Sequence, residues 1–298
     1  MLKSFLKKIY LISQQMSKTC ISIMSCLCFS SFKVARQIRK MKDGRKKDKC
    51  YILGNGPALN DLLKSYKNDS QISVFVVNMM ANNEVFFKIK PNNYIIADTN
   101  YWSEGHSVLK PGSKRYEEFM DSKKRFFKNL EKVDWNMNLY IPNDCPEKLF
   151  KSINPSIRLI KYNRTPIEGW KWVRHCLYSL GMGMPRPVNV VNAAVYCAIM
   201  SGFKEIDLFG VNHSWMLDFR VDEQGRIYTK DLHFYENPEK ERYYFNKGNL
   251  ELSLRSMADA FHSHYMLEVY AKEKGIQIYN CTKHSFIDAY EFKSSSQS

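Results

Sequence analysis

The stretch Cys50-Tyr-Ile-Leu-Gly-Asn-Gly-Pro-Ala-Leu-Asn-Asp61 decides how the chain is read. Cys50 to Leu53 is apolar throughout, as a strand buried on both faces of a parallel sheet is. It ends at Gly54-Asn55-Gly56, where glycines permit a sharp turn and a close backbone approach. Pro57 suits the first turn of a helix, because its missing N–H costs nothing there. The expected product is a strand–turn–helix whose free amides and helix dipole attract an anion, typically a phosphate. A tight turn with no ligand is the other reading of the same residues. The dinucleotide fingerprint is excluded: Leu59 stands where its third glycine would fall, and Asn78 ends the next strand where a ribose-binding acid is expected. The Gly-Lys-Ser/Thr ending of a P-loop is missing as well.

Working outward, similar short apolar runs recur at Val74–Val77, Tyr94–Ala97, Leu139–Ile141, Arg158–Lys161, Ile206–Phe209 and Ile276–Tyr279. Helical patterns fall between them, at Tyr116–Leu130, Asn189–Ser201 and Leu252–Lys274. Such alternation predicts an α/β fold, a Rossmann-like doubly wound sheet that is mostly parallel. In the last helix Leu254, Ala258, Phe261, Tyr265 and Val269 are expected to form the core face, with Gly275 as its C-cap. Short polar residues follow successive strands: Asn55, then Asn78, then Asp98 and Asn100. In an open parallel sheet the carboxyl ends of strands line the ligand crevice. Asparagine offers donor and acceptor without charge, which suits a base edge or a sugar hydroxyl. The polar, turn-rich segment at about 214–249 reads as a lid, with a surface excursion as the other reading, because structureless loops of that length usually cover a site.

The chain has 298 residues and a net charge of +15. Residues 1–49 hold thirteen Lys and Arg against Asp43 and Asp48, so the remaining 249 residues carry only +4. A nucleic-acid enzyme spreads its basic residues over a binding face; here they belong to an N-terminal tail, and nucleic acid is not an expected partner. Leu2, Phe5, Leu6, Ile9 and Tyr10 recur at helical spacing among Lys3, Lys7 and Lys8. The tail is read as an amphipathic segment on an anionic membrane face, with a flexible extension or a signal anchor as the other readings. Residues 50–298 are expected to form the catalytic domain. Eight cysteines show no CxxC pair and no zinc spacing, so no metal centre is expected and a reducing compartment is.

The runs GNGPALND, VFVVN and YIIADTNYW, with VNVVNAAVYCAIMSGFKEIDLFGVN at Val188–Asn212, resemble the small bacterial sialyltransferases that use CMP-sialic acid. The same framework occurs in motility-associated glycosyltransferases and in the MptE-like pterin diphosphokinase domain. The resemblance covers roughly 50–100 and 185–290, and implies a GT-A-like sialyltransferase variant with a small lid. It implies that Gly54, Asn55, Gly56, Pro57, Asn78 and Asp98 hold the cytidine and phosphate side of a CMP-sugar. Asn189, Asn192 and Asn212 would complete that pocket. In that family a tyrosine after the Gly-Ile-Asp element stabilises the departing phosphate; Ser214 falls there in this chain, leaving His213 or Tyr235 to substitute. The family's catalytic histidine lies in a loop before the long C-terminal helix, where this chain offers His233. His262 and His264, within that helix, are second choices.

The implied reaction is metal-independent transfer of an acidic, nonulosonate-type sugar from a CMP-activated donor to a surface glycan or its lipid-linked precursor, on the cytoplasmic face of a bacterial membrane. No resident cofactor is needed, and no Asp-x-Asp pair occurs in the chain. A histidine with a pKa near 6.5 is suited to remove the acceptor's proton. The alternatives are a diphosphokinase, which needs convergent carboxylates for Mg²⁺, and a non-catalytic membrane scaffold. Trp170 and Trp172 are expected to fill a core rather than to stack on a sugar.

Overall fold

The structure, a computed structural model, describes residues 2–41, 47–66, 69–103, 111–150, 153–229, 243–244 and 249–294. In chain order the strands are β1 (Lys49–Leu53), β2 (Ile72–Val77), β3 (Asn93–Ile95), β4 (Met137–Pro142), β5 (Ile157–Tyr162), β6 (Glu205–Phe209), β7 (Phe219–Val221), β8 (Ile227–Thr229), β9 (Tyr243–Tyr244), β10 (Gln277–Asn280) and β11 (Glu291–Phe292). The helices are α1 (Leu2–Phe29), α2 (Phe32–Arg39), α3 (Leu59–Ser65), α4 (Glu84–Ile89), α5 (Lys114–Glu131), α6 (Lys171–Ser179), α7 (Val190–Met200) and α8 (Asn249–Glu273). All seven strands expected from sequence are present. β7 to β9, within the segment read as a lid, form a small antiparallel sheet of their own.

The main sheet has the order β11-β10-β6-β1-β2-β3-β4-β5, and every pairing in it is parallel. The chain winds from β1 out to β5, then returns to the far side of β1 as β6. Strand order therefore reverses between β1 and β6, where an open sheet of this kind presents its crevice. Leu53 pairs with Phe209, so the turns after the two strands lie side by side.

Alternate residues of each strand feed two separate cores, as the period of two requires. Cys50, Ile52, Phe75 and Val77 point to the face covered by α2, α6, α7 and α8. Tyr51, Leu53, Val74 and Val76 point to the face covered by α3, α4 and α5. Helix α7 is buried from Val191 to Ile199 without a polar side, which its apolar composition demands. The α8 core face differs from the expected stripe. Leu254 and Tyr265 are exposed, and the helix instead buries Ala260, Ser263, His264, Leu267, Tyr270 and Ala271. Small and polar residues fit the tight seam beside α7, whereas Leu254 and Tyr265 remain outside. Gly275 closes α8 at φ +66°, with Ile276 N–H donating to Ala271 O at 3.0 Å. Trp172, expected in a core, is 73% exposed.

The stretch 1–49 does not behave as one tail. Helix α2 buries Val34, Ala35 and Ile38 in the larger core. Ser31 exchanges two backbone bonds with the Asn163 carboxamide, at 2.9 and 3.0 Å. Helix α1 touches the body near its C-terminal half and projects beyond it. No single described helix is long and apolar enough to cross a membrane.

One buried ion cluster ties the middle of the sheet. The Asp207 carboxylate on β6 is fully buried and faces Lys49 Nζ at 2.9 Å and Lys293 Nζ at 3.4 Å. Removing a partner from a buried charge leaves its desolvation cost uncompensated. Lys49→Met is expected to lower the unfolding free energy by about 2–4 kcal/mol, read from urea denaturation; an unchanged midpoint would show that Lys293 suffices.

Candidate functional site

A cleft opens at the reversal of strand order, enclosing about 650 Å³ that is partly open to solvent. Its floor is the turn after β1 (Gly54 to Pro57), beside the turn after β6 (Gly210 to Asn212). One wall is Val77-Asn78 at the end of β2, another is Asn189 to Val191 at the start of α7, and the third is His213 to Trp215 with Asp218.

The two glycine turns hold each other. Gly54 N–H donates to Phe209 O at 2.8 Å and Gly56 N–H to Gly210 O at 2.7 Å. A Cβ on Gly54 would meet Gly210 O at 2.5 Å, and one on Gly56 would meet the same atom at 2.6 Å. Ala58 N–H donates to Asn212 Oδ1 at 3.3 Å. These contacts correct the anion-cradle expectation. The amides of Gly54, Gly56 and Ala58 are spent on protein partners, and the glycines serve backbone-on-backbone packing. Helix α3 is only seven residues long. The turn builds the floor of the site rather than its anion hole.

Asn55 and Asn78 do converge on the cleft. Asn55 Nδ2 donates to Val77 O at 3.2 Å, while Asn55 Oδ1 and Asn78 Oδ1 are buried without a hydrogen-bond partner among the described residues. Buried polar atoms are normally paired, so two orphan acceptors in one cleft call for a ligand donor or water. Asn78 adopts the left-handed region at φ +49°, a conformation that costs a non-glycine residue unless its surroundings impose it. The buried Tyr94 hydroxyl imposes it: it donates to Asn78 O and accepts from Ala81 N–H at 3.0 Å.

Other expected residues lie elsewhere or do other work. Asn192 is fully buried, donates to Ala260 O on α8 at 3.4 Å, has its own Oδ1 without a partner among the described residues, and does not line the cleft. Its place inside an apolar helix turns it toward the helix–helix seam. Asp98 is exposed one strand further out, where its carboxylate accepts from Asn100 N–H at 2.9 Å. Asn189 lines the cleft, but its Oδ1 accepts from Val191 N–H at 2.7 Å as the cap of α7. Asn212 lines it while bridging the turns, with Nδ2 reaching Lys283 O at 3.5 Å. His233 and Tyr235 lie outside the described residues. His262, a second choice, is exposed on α8.

His213 is the group the structure brings forward. Its neighbours are anchored: Val211 N–H donates to Thr282 Oγ1 at 3.1 Å and Phe286 N–H to Asn212 O at 2.9 Å. The pinned turn carries His213 at φ +48°, its ring 4.3 Å from that of Trp215. His213 Nε2 lies 3.1 Å from His264 Nε2, and His264 Nδ1 lies 2.9 Å from the Tyr290 hydroxyl. Burial pushes His213 down to about 3, and burial followed by the nearby His213 ring holds His264 well below its ordinary value. Both rings are therefore neutral at pH 7, and one must donate across the Nε2–Nε2 contact. Among the described residues the Tyr290 hydroxyl has no acceptor other than His264 Nδ1. Tyr290 thus donates to His264, His264 donates to His213, and His213 carries its own proton on Nδ1. This chain of donors makes His213 a neutral hydrogen-bond donor in the cleft wall. A general base with a pKa near 7 it is not.

The sequence pointed to His213 and ranked His264 below it, but gave no sign that they touch. Trp215, Asp218 and Tyr290 were missed. Trp215 and Asp218 follow so soon after Asn212 that the strand-end rule, extended by one turn, would have found them. Tyr290 is 77 residues beyond His213, and no periodicity joins them.

Two outcomes test this geometry. On unfolding, each ring gains a proton near pH 6.5 that the folded state refuses, so stability is lost as pH falls below about 6.5, by up to about 1.4 kcal/mol per pH unit per ring. His213→Gln should flatten the slope of unfolding free energy between pH 6.5 and 4.5; an unaltered slope would contradict a buried neutral imidazole. Tyr94→Phe should cost about 1–2 kcal/mol and loosen Asn78, seen as faster amide exchange at Met79 to Ala81; unchanged exchange would remove Tyr94 as the clamp.

No family model and no curated protein sequence matches the chain. Among solved structures it is similar to the sialyltransferase CstII from Campylobacter jejuni in complex with a substrate analogue, CMP-3FNeuAc. That match has a TM-score of 0.43 and 15% identity, covering 84% of this chain and 88% of that one. It is also similar to an alpha-2,3-sialyltransferase from Campylobacter jejuni in apo form, with a TM-score of 0.42 and 12% identity, covering 87% and 85%. Similarity at this level carries no residue-by-residue correspondence.

Proposed function

We propose that the chain is a glycosyltransferase that takes a CMP-activated, nonulosonate-type acidic sugar and passes it to a glycan hydroxyl. The observation that carries this reading is the pair of orphan carboxamide oxygens, Asn55 Oδ1 and Asn78 Oδ1, in a cleft at the reversal of strand order. Two uncharged acceptors fit the amino group of a cytosine or the hydroxyls of a ribose. The sequence resemblance to CMP-sialic acid enzymes supports the same ligand.

The described lining contains no Lys or Arg and one carboxylate, Asp218. A monophosphate is easier to hold with such a lining than a triphosphate with its metal ions, which require converging carboxylates. The positive end of α7, capped by Asn189 at the cleft, would face the phosphate. In transfer, the bond between the sugar's anomeric carbon and the phosphate oxygen breaks as positive charge builds on the ring. A bond to the acceptor oxygen forms, and that oxygen's proton leaves to a base. His213 Nδ1–H would donate to the departing phosphate, its ring packed against Trp215 and its tautomer set by His264 and Tyr290. The base role stays with His233, and Tyr235 would assist the phosphate.

Thermal stabilisation by a nucleotide panel tests the reading. CMP at about a hundred times its Kd should stabilise the chain by about 2.7 kcal/mol, more than UDP, GDP or ATP at the same concentration. Asn55→Ala and Asn78→Ala should each abolish the CMP shift, while Asn192→Ala keeps it. Equal shifts from all nucleotides, or an Asn192 dependence, would overturn the proposal. His233→Ala should stop CMP release from a CMP-nonulosonate and leave CMP binding intact; full turnover would remove His233 as base.

A further inference from the structure

Helix α1 exposes an apolar face that no described residue covers. Leu2, Phe5, Ile9, Ile12, Met16 and Ile23 follow one another at steps of three, four or seven residues. They are between 40% and 71% exposed. At about 100° per residue these positions fall in one stripe along the whole helix. Leu6, Tyr10 and Met24, also exposed, widen it on one flank. An exposed apolar stripe of this length marks an interaction surface.

The helix is attached to the body by another side. Thr19, Ser22 and Cys26 are its buried residues. Glu168 N–H donates to Ser22 Oγ at 2.8 Å and Trp170 N–H to Thr19 Oγ1 at 2.9 Å. Lys18 pairs with Glu168 at 3.2 Å. The helix approaches so closely that a Cβ on Gly169 would lie 2.2 Å from Thr19 Oγ1. The contacts begin at Lys18, so the C-terminal part of α1 has one side occupied by protein, while the residues before it are exposed and extend clear of the body. The stripe is centred about 80° round the helix from these contacts, and Thr19 borders it between Met16 and Ile23.

Charge decides what covers the stripe. Residues 2–41 contain Lys3, Lys7, Lys8, Lys18, Lys33, Arg36, Arg39 and Lys40, and no Asp or Glu. A second copy laid stripe to stripe would set one basic segment beside another, with no acid in either to offset the charge. An anionic lipid surface supplies both an apolar interior for the stripe and a negative potential for the segment's basic residues. We propose that α1 lies in the plane of an anionic lipid surface, its Leu2–Phe5–Ile9–Ile12–Met16–Ile23 stripe inserted among the acyl chains and its lysines at the headgroups, while Thr19, Ser22 and Cys26 hold the body above it. This does not depend on which reaction the cleft performs.

The test uses the full chain and co-sedimentation with two vesicle types, phosphatidylcholine alone and phosphatidylcholine with about a third phosphatidylglycerol. Binding is expected to the anionic vesicles and to fall several-fold in high salt. Ile9→Asp with Ile12→Asp changes two exposed residues, so the body stays folded, checked by an unchanged urea midpoint. Affinity for the anionic vesicles should drop roughly tenfold or more. Replacing Lys3, Lys7 and Lys8 by Gln should reproduce the salt effect at low salt. Equal binding by the variant and the parent would overturn the proposal. So would equal binding to both vesicle types. A parent dimer in solution that the Ile9/Ile12 variant converts to monomer would assign the stripe to a second copy instead. Retention in the membrane after alkaline extraction would show a spanning helix and would equally overturn it.

Discussion

The site depends on one contact between two backbones. Where β1 and β6 end, Gly56 N–H reaches Gly210 O at 2.7 Å, and neither Gly54 nor Gly56 leaves room for a Cβ against that carbonyl. This crossing sets the distance between the first and sixth strand ends, and so the floor of the cleft. It explains why glycine occupies both positions and why the following amides are unavailable to a ligand. The motif that looks most like a phosphate loop is thus a hinge pin for the strand reversal, and the ligand-facing groups are carried by its neighbours.

Apart from Asp218, those neighbours are neutral. Asn55 and Asn78 offer carboxamides, His213 an uncharged imidazole and Trp215 a ring, with the start of α7 as the one positive feature of the described wall. Neutral dipoles held rigidly cost less to bury than charges and still respond to charge that develops in a reaction. Rigidity comes from behind the site. Tyr94 clamps the Asn78 backbone, the Thr282 to Phe286 turn clamps that of His213, and Tyr290 acts through His264 to place a proton. Two non-glycine residues at positive φ facing one cleft are the backbone signature of this arrangement.

Much of the architecture was legible because parallel strands buried on both faces must be apolar throughout; Cys50–Leu53 and Val74–Val77 left no other reading. Less was legible where one face competes with another. In α8 the larger apolar residues suggested a core stripe, but the seam beside α7 accepts Ala260, Ser263 and His264 and leaves Leu254 and Tyr265 outside. Asn192 looked like a cleft residue because it is polar in an apolar run, yet a helix turn placed it toward Ala260. The composition of residues 1–49 suggested a detached tail, although Val34, Ala35 and Ile38 are as deeply buried as strand residues. The histidine pair was illegible, since only the pairing of β10 with β6, with α8 between them in the chain, brings His264 to the turn after β6.

The account stands on Asn55 and Asn78 being ligand groups. Their side-chain amide resonances, followed by NMR as CMP is added, address this directly. Both Nδ2 signals should shift together and saturate at one concentration, with the Asn192 signal unmoved. CMP binding that shifts neither of them, or that moves Asn192 instead, would contradict the assignment of this cleft as the nucleotide site.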